Sequence, residues 1–466
     1  MGTVRFFKHY IRVPFITLGL LELLSTVLAV YAARYLRFIQ AGYNSEQVFE
    51  DLSYRALLFA GVVSLCMIAT GLYQTTMREG MFGVLLRLVV SYFLAVVALA
   101  FLFYLFPMLF LGRGVLVLSV IFSFIAIVLW RLFFFKVVPD VFKRRVLVLG
   151  TGKHAAAIAG LRRKTDRFGF MILGYVHLRG SKDEIDPAQI VKLNMPLKTF
   201  CQSNEIDEIV LAIDDRRKGF PTNELLDCKM SGIEILDLAT FFERETGKIR
   251  LDLIHPSWFI LSSGFHRNSF QSAAKRGLDL LVSSLLFAVA WPFMLITAIA
   301  IKIEDGPNAP VLFGQIRIGE EGRPYRIYKF RSMTVDAEKD GKAQWASESD
   351  PRITRVGRII RKTRIDELPQ LFNVLNGNMS FVGPRPERPE FVVTLSEKIE
   401  YFNERHRVKP GITGWAQIRY PYGASDKDAL EKLQYDLYYV KNQSLFLDFL
   451  IVLQTVEVIL FGKGSR

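Results

Sequence analysis

The chain has 466 residues, of which 51% are hydrophobic and 38 are phenylalanine, and its formal net charge is +14. This length allows two or three domains, and the apolar content is too high for an ordinary soluble enzyme. Apolar bulk combined with excess positive charge indicates a membrane protein that faces anionic lipid or an anionic substrate. We expect no nucleic-acid partner, because the cations are dispersed among apolar segments and no nucleic-acid motif is present.

Four apolar segments begin the chain, and each approaches the roughly 20 residues that a membrane-spanning helix needs. They cover residues 13–33, 56–73, 88–111 and 115–138. Basic residues such as Lys8 and Lys143 flank both outer ends of the set. An even number of spans with cations at both ends places both termini of this bundle in the cytoplasm. A buried helical bundle is the alternative interpretation.

The pattern changes after Arg145, where short apolar runs alternate with helical stretches. Strands are predicted at residues 146–149, 170–176, 208–213 and 233–236. This alternation predicts a small Rossmann-like α/β domain over residues 141–265. The Gly150-Thr151-Gly152 run would bring backbone N–H groups near a phosphate. However, His177-Leu178-Arg179 follows the second strand, where a ribose-binding acid is expected. A structural or regulatory role is therefore favoured, and nucleotide binding is the alternative.

A further apolar segment, residues 280–303, is long enough to cross a bilayer. Pro292 lies near its midpoint, and proline removes a backbone hydrogen bond and bends a helix. We expect a re-entrant membrane helix over residues 275–303 that enters and leaves by the same face. This topology keeps the following basic region in the cytoplasm, whereas a fifth span would place that region outside.

The region after this segment is rich in charge, and its mixed pattern predicts an α+β domain. Strands are predicted at residues 315–319 and 328–333, a polar loop at 336–350 and a basic helix at 354–363. The adjacent acids Asp366 and Glu367 are expected to open the next helix, with Pro369 in its first turn. The apolar residues 445–462 predict either a helix on the membrane surface or a packed terminal helix.

The Asp366-Glu367 pair lies among basic residues, which is a pattern suited to phosphate chemistry. A diphosphate needs charge neutralisation, and we expect four cations to bind it: Lys329, Arg331, Arg361 and Arg385. A Mg²⁺ ion held by Asp366 and Glu367 would bridge the phosphates. Asp366 is the candidate nucleophile on phosphorus, and Glu367 would help hold the metal or move protons. The structural alternative is that the pair only complements a helix N-terminus.

Seven motifs in residues 271–464 carry a resemblance to a known family. They are Lys275-Arg276 with Asp279, Pro292, Gln315-Ile316-Arg317-Ile318-Gly319, Lys329-Phe330-Arg331-Ser332-Met333, Asp366-Glu367-Leu368-Pro369-Gln370, Gly383-Pro384-Arg385-Pro386 and Lys409-Pro410-Gly411-Ile412-Thr413-Gly414-Trp415. These residues resemble the bacterial sugar transferases, the monotopic polyprenyl-phosphate hexose-1-phosphate transferases. The four spans and the α/β domain resemble the long members, most closely the exosortase-associated exopolysaccharide sugar transferases. Ser332 stands where many relatives carry threonine.

The resemblance implies that hexose-1-phosphate moves from a UDP-sugar to undecaprenyl phosphate with release of UMP. This step would initiate exopolysaccharide or O-antigen synthesis at the bacterial inner membrane, with glucose or galactose as the expected hexose. Asp366 would form a phosphosugar intermediate, with Glu367 beside it. The expected domains are residues 1–140, 141–265 and 270–466, the last being catalytic, and we expect a homodimer. The alternative is a non-enzymatic assembly or regulatory protein whose α/β domain senses a nucleotide.

Overall fold

The computed structural model describes residues 3–6, 8–39, 51–73, 81–141, 143–161, 169–178, 183–214, 220–254, 256–262, 264–265, 268–334, 350, 352–421, 423 and 425–461. All of the predicted polar loop except Asp350, and also Arg179, lie outside the described residues. The chain forms two compact units, one reaching to Gly247 and one beginning at Lys248, while Lys8 and His9 group with the second unit.

The first unit begins with a two-stranded sheet, β1 (Thr3–Phe6) and β2 (His9–Arg12), followed by four long helices. The helices are α1 (Val13–Ile39), α2 (Leu52–Ala69), α3 (Met81–Leu105) and α4 (Arg113–Val141). All four are long and apolar enough to cross a membrane. The predicted segments thus form apolar helices, although α2 and α3 begin and end earlier than the hydropathy pattern indicated.

Charged side chains inside this bundle are paired with one another. The Glu22 carboxylate lies 2.7 Å from Nε of Arg131 and accepts a 2.5 Å hydrogen bond from the Tyr73 hydroxyl. Both charged groups are buried, so their pairing offsets the cost of removing them from water. Glu22 and Arg131 thereby connect α1 to α4.

The α/β part of the first unit has a parallel five-stranded sheet with the order β5-β4-β3-β6-β7. Its strands are β3 (Arg144–Leu149), β4 (Phe170–Val176), β5 (Ile190–Val191), β6 (Glu208–Leu211) and β7 (Glu234–Asp237). Its helices are α5 (Lys153–Ala159), α6 (Leu197–Ser203), α7 (Thr222–Met230) and α8 (Leu238–Thr246). The predicted α/β domain is confirmed as a region with a parallel sheet, and among its described strands only the two-residue edge strand β5 was not predicted.

The second unit begins with a 3₁₀ turn (Leu251–Leu253) and a short helix, α9 (Pro256–Leu261). The antiparallel hairpin of β8 (Leu312–Ile318) and β9 (Pro324–Phe330) follows the helix α10 (Ser269–Asp305). The remaining elements are α11 (Arg355–Lys362), α12 (Gln370–Leu375), β10 (Ser380–Val382), α13 (Pro389–Lys398), β11 (Gly411–Thr413), α14 (Trp415–Arg419), α15 (Asp426–Asn442) and α16 (Leu445–Leu460).

The helix α10 continues through Pro292 and is the fifth helix that is long and apolar enough to cross a membrane. Most of its apolar side chains are exposed, and Val289 and Ile296 are examples. A continuous apolar surface of this length is suited to contact with lipid. The re-entrant course of this helix stays a prediction.

The Asp366-Glu367 pair does not open an α-helix, which corrects one sequence-based expectation. Ile365–Glu367 forms a single 3₁₀ turn, and Pro369 occupies the N-cap position of α12 rather than its first turn. The interruption comes from Arg364, whose backbone is left-handed with φ 59° and ψ 14°. This conformation is uncommon for a residue with a Cβ atom, so local helix signals could not predict it.

Candidate active site

A cavity of about 880 Å³ opens in the second unit. Asp366 and Glu367 line it, together with the four predicted phosphate-binding residues Lys329, Arg331, Arg361 and Arg385. The structure therefore brings these six predicted site residues into one concave site. Pro292 lies in α10 and does not line this cavity.

Glu367 is held by cations from three different parts of the chain. Its Oε1 atom accepts hydrogen bonds from Lys329 Nζ at 3.1 Å and from Arg385 Nη2 at 2.9 Å. Arg364 Nη1 lies 3.7 Å from the same oxygen. Lys329 is fixed by the β8–β9 register, because its neighbour Phe330 is buried in a core cluster with Ile301. The carboxylate of Glu367 is consequently fixed in one orientation.

Asp366 has different surroundings, although it is the next residue in the chain. Its side chain is 8% exposed, and its Oδ1 atom is buried without a hydrogen-bond partner among the described residues. Burial, followed by the negative charge of Glu367, raises the pKa of Asp366 to about 6. Asp366 thus presents a free oxygen and is still mainly ionised at neutral pH.

The pKa of Glu367 moves in the opposite direction. Burial raises this pKa, but the positive charges of Lys329, Arg385 and Arg364 outweigh burial and lower it below the usual range. Burial also lowers the pKa of Lys329, which the charge of Glu367 partly offsets. The two carboxylates therefore have separate electrostatic environments, which is typical of residues with different chemical roles.

Arg331 has unused hydrogen-bonding capacity at the cavity. Its Nε and Nη1 atoms are buried, and neither has a hydrogen-bond partner within the described part of the chain. A guanidinium group with unsatisfied donors is suited to the oxygens of a phosphate. Arg361 lies close enough to lower the pKa of Asp366 by its charge. Both arginines can neutralise a diphosphate that enters the cavity.

Glycine residues bring two loops of the site into backbone contact. A Cβ atom on Gly383 would lie 2.2 Å from the carbonyl oxygen of Lys409, and one on Gly411 would lie 2.1 Å from the Gly383 nitrogen. Gly383 directly follows β10, and Gly411 is the first residue of β11, which pairs with β10 in parallel. The close approach of the two backbones is the reason for glycine at both positions. This contact fixes the loop that carries Arg385.

The first turns of α10 hold β10, which leads into the same loop. Lys275 Nζ donates hydrogen bonds to Asp448 Oδ2 at 2.9 Å and to the Val382 carbonyl oxygen at 3.1 Å. Asp279 Oδ1 accepts hydrogen bonds from Ser380 Oγ and from the Phe381 nitrogen, each at 2.9 Å. The sequence contained Lys275 and Asp279 in a motif but did not indicate these roles. Their four-residue spacing just before the long apolar run of this helix was the available signal.

A second set of positioning residues was also missed. Arg405 Nη2 donates to the Arg385 carbonyl oxygen at 2.8 Å and to Asp436 Oδ2 at 2.7 Å. Burial raises the pKa of Asp436 to about 6, although the charge of Arg405 opposes this effect. Arg405 and Asp436 are 31 residues apart in sequence, so no local pattern identified their contact.

The carboxylates of Asp366 and Glu367 are a donor set that fits a Mg²⁺ ion whose remaining ligands come from phosphate and water. No group of three potential metal-binding side chains occurs within the described residues. Mg²⁺ commonly takes only one or two protein carboxylates and completes its shell with phosphate oxygens and water. The unpartnered Oδ1 of Asp366, beside the carboxylate of Glu367, provides such a set.

The glycine-rich turn of the α/β domain uses its backbone donors internally. The backbone N–H groups of Lys153 and His154 donate to the carboxylate of Asp214 at 3.1 and 3.0 Å. The acid thus occupies the position at which a nucleotide phosphate would bind. Thr151 and His177 both contact Asp183 near the end of β4. This arrangement favours a structural role for the turn.

Comparison with known proteins identifies two family models in the chain. The bacterial sugar transferase model matches residues 270–462, and a CoA-binding domain model matches residues 68–218. The chain is 43% identical over 255 residues to a UDP-N-acetylgalactosamine-undecaprenyl-phosphate N-acetylgalactosaminephosphotransferase of Aeromonas hydrophila. It is 36% identical over 324 residues to a UDP-glucose:undecaprenyl-phosphate glucose-1-phosphate transferase of Klebsiella pneumoniae.

These matches cover different shares of the proteins compared. The Aeromonas match covers 54% of this chain and 58% of the relative, and the Klebsiella match covers 67% of each. A UDP-glucose:undecaprenyl-phosphate glucose-1-phosphate transferase of Escherichia coli is 42% identical over 39% of both chains. The chain thus spans between about two fifths and two thirds of the length of these relatives.

Proposed function

The chain belongs to the bacterial sugar transferase family, and from this we propose that it transfers a sugar-1-phosphate from a UDP-sugar to undecaprenyl phosphate, releasing UMP. The names of the relatives describe this class of reaction. The observation that supports it best is the unpartnered Oδ1 of Asp366 in a cavity lined by cations. We place the reaction at the start of exopolysaccharide or O-antigen synthesis.

Asp366 is the nucleophile of the proposed reaction. Its Oδ1 attacks the β-phosphorus of the UDP-sugar, and the bond from this phosphorus to the bridging oxygen breaks, so that UMP leaves with the electron pair. The sugar phosphate is then bound covalently to Asp366. An oxygen of undecaprenyl phosphate attacks the same phosphorus, displaces the carboxylate and forms the lipid diphosphate sugar.

The basic residues of the cavity neutralise the diphosphate during both steps. Within the described residues, the hydrogen bonds to Glu367 come from Lys329 and Arg385, which therefore share their charge between this carboxylate and the substrate. Arg331 and Arg361 also line the cavity and can face the diphosphate. Donors fixed in advance toward the developing charge lower the barrier without reorganisation. Glu367 orients these cations and is the second candidate ligand for Mg²⁺. When bound, Mg²⁺ would offset negative charge on the diphosphate.

We assign the protein to the bacterial inner membrane, with the second unit in the cytoplasm. The five long apolar helices support membrane association. A re-entrant α10, bent at Pro292, would place the catalytic unit where UDP-sugars and the lipid phosphate meet. We also propose a homodimer. Light scattering corrected for detergent should give the mass of two chains, and the mass of one chain would contradict this.

The alternative is a membrane protein that senses a nucleotide through its α/β domain without catalysis. The match of the CoA-binding domain model favours a ligand there. The carboxylate of Asp214 at the helix N-terminus opposes an anionic ligand at the glycine-rich turn. Catalysis by the second unit therefore has the stronger support.

The test uses purified full-length protein in detergent with Mg²⁺, undecaprenyl phosphate and a panel of UDP-hexoses and UDP-N-acetylhexosamines. UMP release should require the lipid, favour one donor and stop when a chelator removes Mg²⁺. Asp366→Asn should abolish the release, and the panel identifies the sugar. Release of free sugar phosphate without lipid would indicate a hydrolase instead, and no release with any donor would support the regulatory alternative.

A further inference from the structure

Lys8 and His9, which precede the first apolar helix α1, belong to the second unit. The helix α1 begins only four residues after His9. His9 is 7% exposed, and its Nδ1 atom lies 2.9 Å from the hydroxyl oxygen of Tyr438. Lys8 Nζ donates a 2.9 Å hydrogen bond to the Gly264 carbonyl oxygen. The second unit is therefore assembled from two distant parts of the chain.

The imidazole of His9 packs in an aromatic cluster of the second unit. Its ring is T-shaped to Trp415, with centroids 5.4 Å apart, and Trp415 stacks on Tyr438 at 5.8 Å. The guanidinium of Arg419 lies 4.3 Å from the centroid of Trp415. Burial lowers the pKa of His9 to about 3, and the charge of Arg419 also lowers it. His9 consequently packs as a neutral ring.

This cluster determines where one wall of the active-site cavity lies. Trp415 opens α14, and three further residues of that helix, Ala416, Gln417 and Ile418, line the cavity. A helix of five residues is not stable by itself. It also has no side-chain hydrogen bond at its N-cap. The position of α14 therefore depends on the packing of Trp415, to which His9 contributes.

We propose that His9 is a positioning residue of the active site, which fixes α14 through Trp415 and Tyr438. The expected effect on KM rests on the proposed function. Three residues separate His9 from the start of α1 at Val13. The effect is on the shape of the cavity, since His9 does not line it.

The test is a double-mutant cycle in the full-length chain, with UMP release as the assay. His9→Phe keeps an aromatic ring and removes the hydrogen bond, and Tyr438→Phe removes the other partner. Each variant should raise KM for the UDP-sugar about two- to tenfold, the range expected for one hydrogen bond, with kcat within about twofold. The double variant should be no worse than the poorer single variant. His9→Asn places a polar atom near the position of Nδ1 and should restore most of KM.

Hydrogen–deuterium exchange gives a measurement that does not depend on activity. In His9→Ala, amides of residues 415–419 should exchange about tenfold faster, while those of the α/β sheet stay unchanged. His177→Phe, at an exposed histidine of the α/β domain, is the matched control and should behave as wild type. If the wild type releases no UMP, the proposed reaction is wrong, while exchange still decides the role of His9.

Two results would overturn the proposal. The first is unchanged exchange over residues 415–419 in His9→Ala together with unchanged KM in His9→Phe. The second is a fall in kcat at constant KM with faster exchange throughout the unit, since this indicates only a smaller folded fraction. Additive effects in the double variant would show that His9 and Tyr438 act independently.

Discussion

Asp366 and Glu367 are adjacent in sequence, but the surrounding residues give them opposite electrostatic environments. Lys329 and Arg385 bond to Glu367 and keep it ionised, whereas Asp366 is buried with a free oxygen. A carboxylate that is bonded to two cations is a poor nucleophile. It is instead suited to hold those cations in place beside the substrate. A carboxylate of raised pKa with an oxygen that no described group bonds is the better nucleophile. This asymmetry supports the proposed division of roles.

Glu367→Gln tests the supporting role of the second carboxylate. The neutral amide cannot pair with both cations, so we expect kcat for UMP release to fall by about 10²–10⁴, the usual contribution of such a group. KM for the UDP-sugar should change much less. Glu320→Gln, in the turn between β8 and β9, is the matched control and should keep wild-type kcat. A Glu367→Gln enzyme with normal kcat would show that the carboxylate charge is not needed.

The residue types of the site could be predicted from sequence, but their supports could not. Adjacent acids among arginines indicate phosphate chemistry without any structure. The contact between Lys275 and Asp448 joins residues 173 positions apart, and only the fold brings them together. The left-handed conformation of Arg364 was hidden for a different reason, because it depends on tertiary packing rather than on local propensity.

At the level of elements, the predictions succeeded where local signals decide the structure. The basic helix was predicted at 354–363, and α11 runs from Arg355 to Lys362 with Thr354 as its N-cap. The Thr354 hydroxyl accepts a hydrogen bond from the Gly357 nitrogen, which is a local contact. The strand β9 ends at Phe330, before the predicted Met333, because its partner β8 starts opposite Phe330. Pairing, rather than propensity, sets that boundary.

Asp279→Ala tests how α10 supports the site. The substitution removes the acceptor for Ser380 Oγ and the Phe381 nitrogen, both in a buried strand. Unfolding of the second unit should become easier by about 1–3 kcal/mol, the cost of unpaired buried donors. The measurement is the thermal midpoint in detergent, compared with Gln271→Ala on the exposed start of the same helix. An unchanged midpoint would mean that β10 is held in place without Asp279.

Pro292→Leu tests the course of α10 relative to the membrane. Leucine restores the backbone donor and a straight helix of full spanning length, so the second unit should move to the outer face. The measurement is protease access to a C-terminal tag in intact spheroplasts, with Phe293→Leu as the control. We expect protection in the wild type and the control, and cleavage in Pro292→Leu. Cleavage in the wild type would show that α10 spans the membrane.

At the scale of the whole molecule, charge is used differently in the two units. In the α/β domain, buried Glu208 pairs with Arg144 at 2.7 Å and with Arg244 at 2.6 Å, so these charges satisfy one another. In the second unit, Asp366 and Arg331 keep buried polar atoms without partners in the described structure. Buried polar groups are normally paired, and exceptions concentrate at functional sites. Arg144 Nε in the α/β domain also lacks a partner among the described residues, but Asp366 and Arg331 line one cavity together with further cations, and this supports the second unit as the proposed place of the chemistry.

Covalent trapping of the sugar phosphate tests the central role of Asp366 most directly. The full-length protein is incubated with the UDP-sugar that supports UMP release, without undecaprenyl phosphate, and its peptides are analysed by mass spectrometry. We predict that the peptide containing Asp366 gains one sugar phosphate, which undecaprenyl phosphate then removes, and that Asp366→Asn gains none. Lipid-dependent UMP release without any modified peptide, or with a modification that persists in Asp366→Asn, would contradict the assignment of Asp366 as the nucleophile.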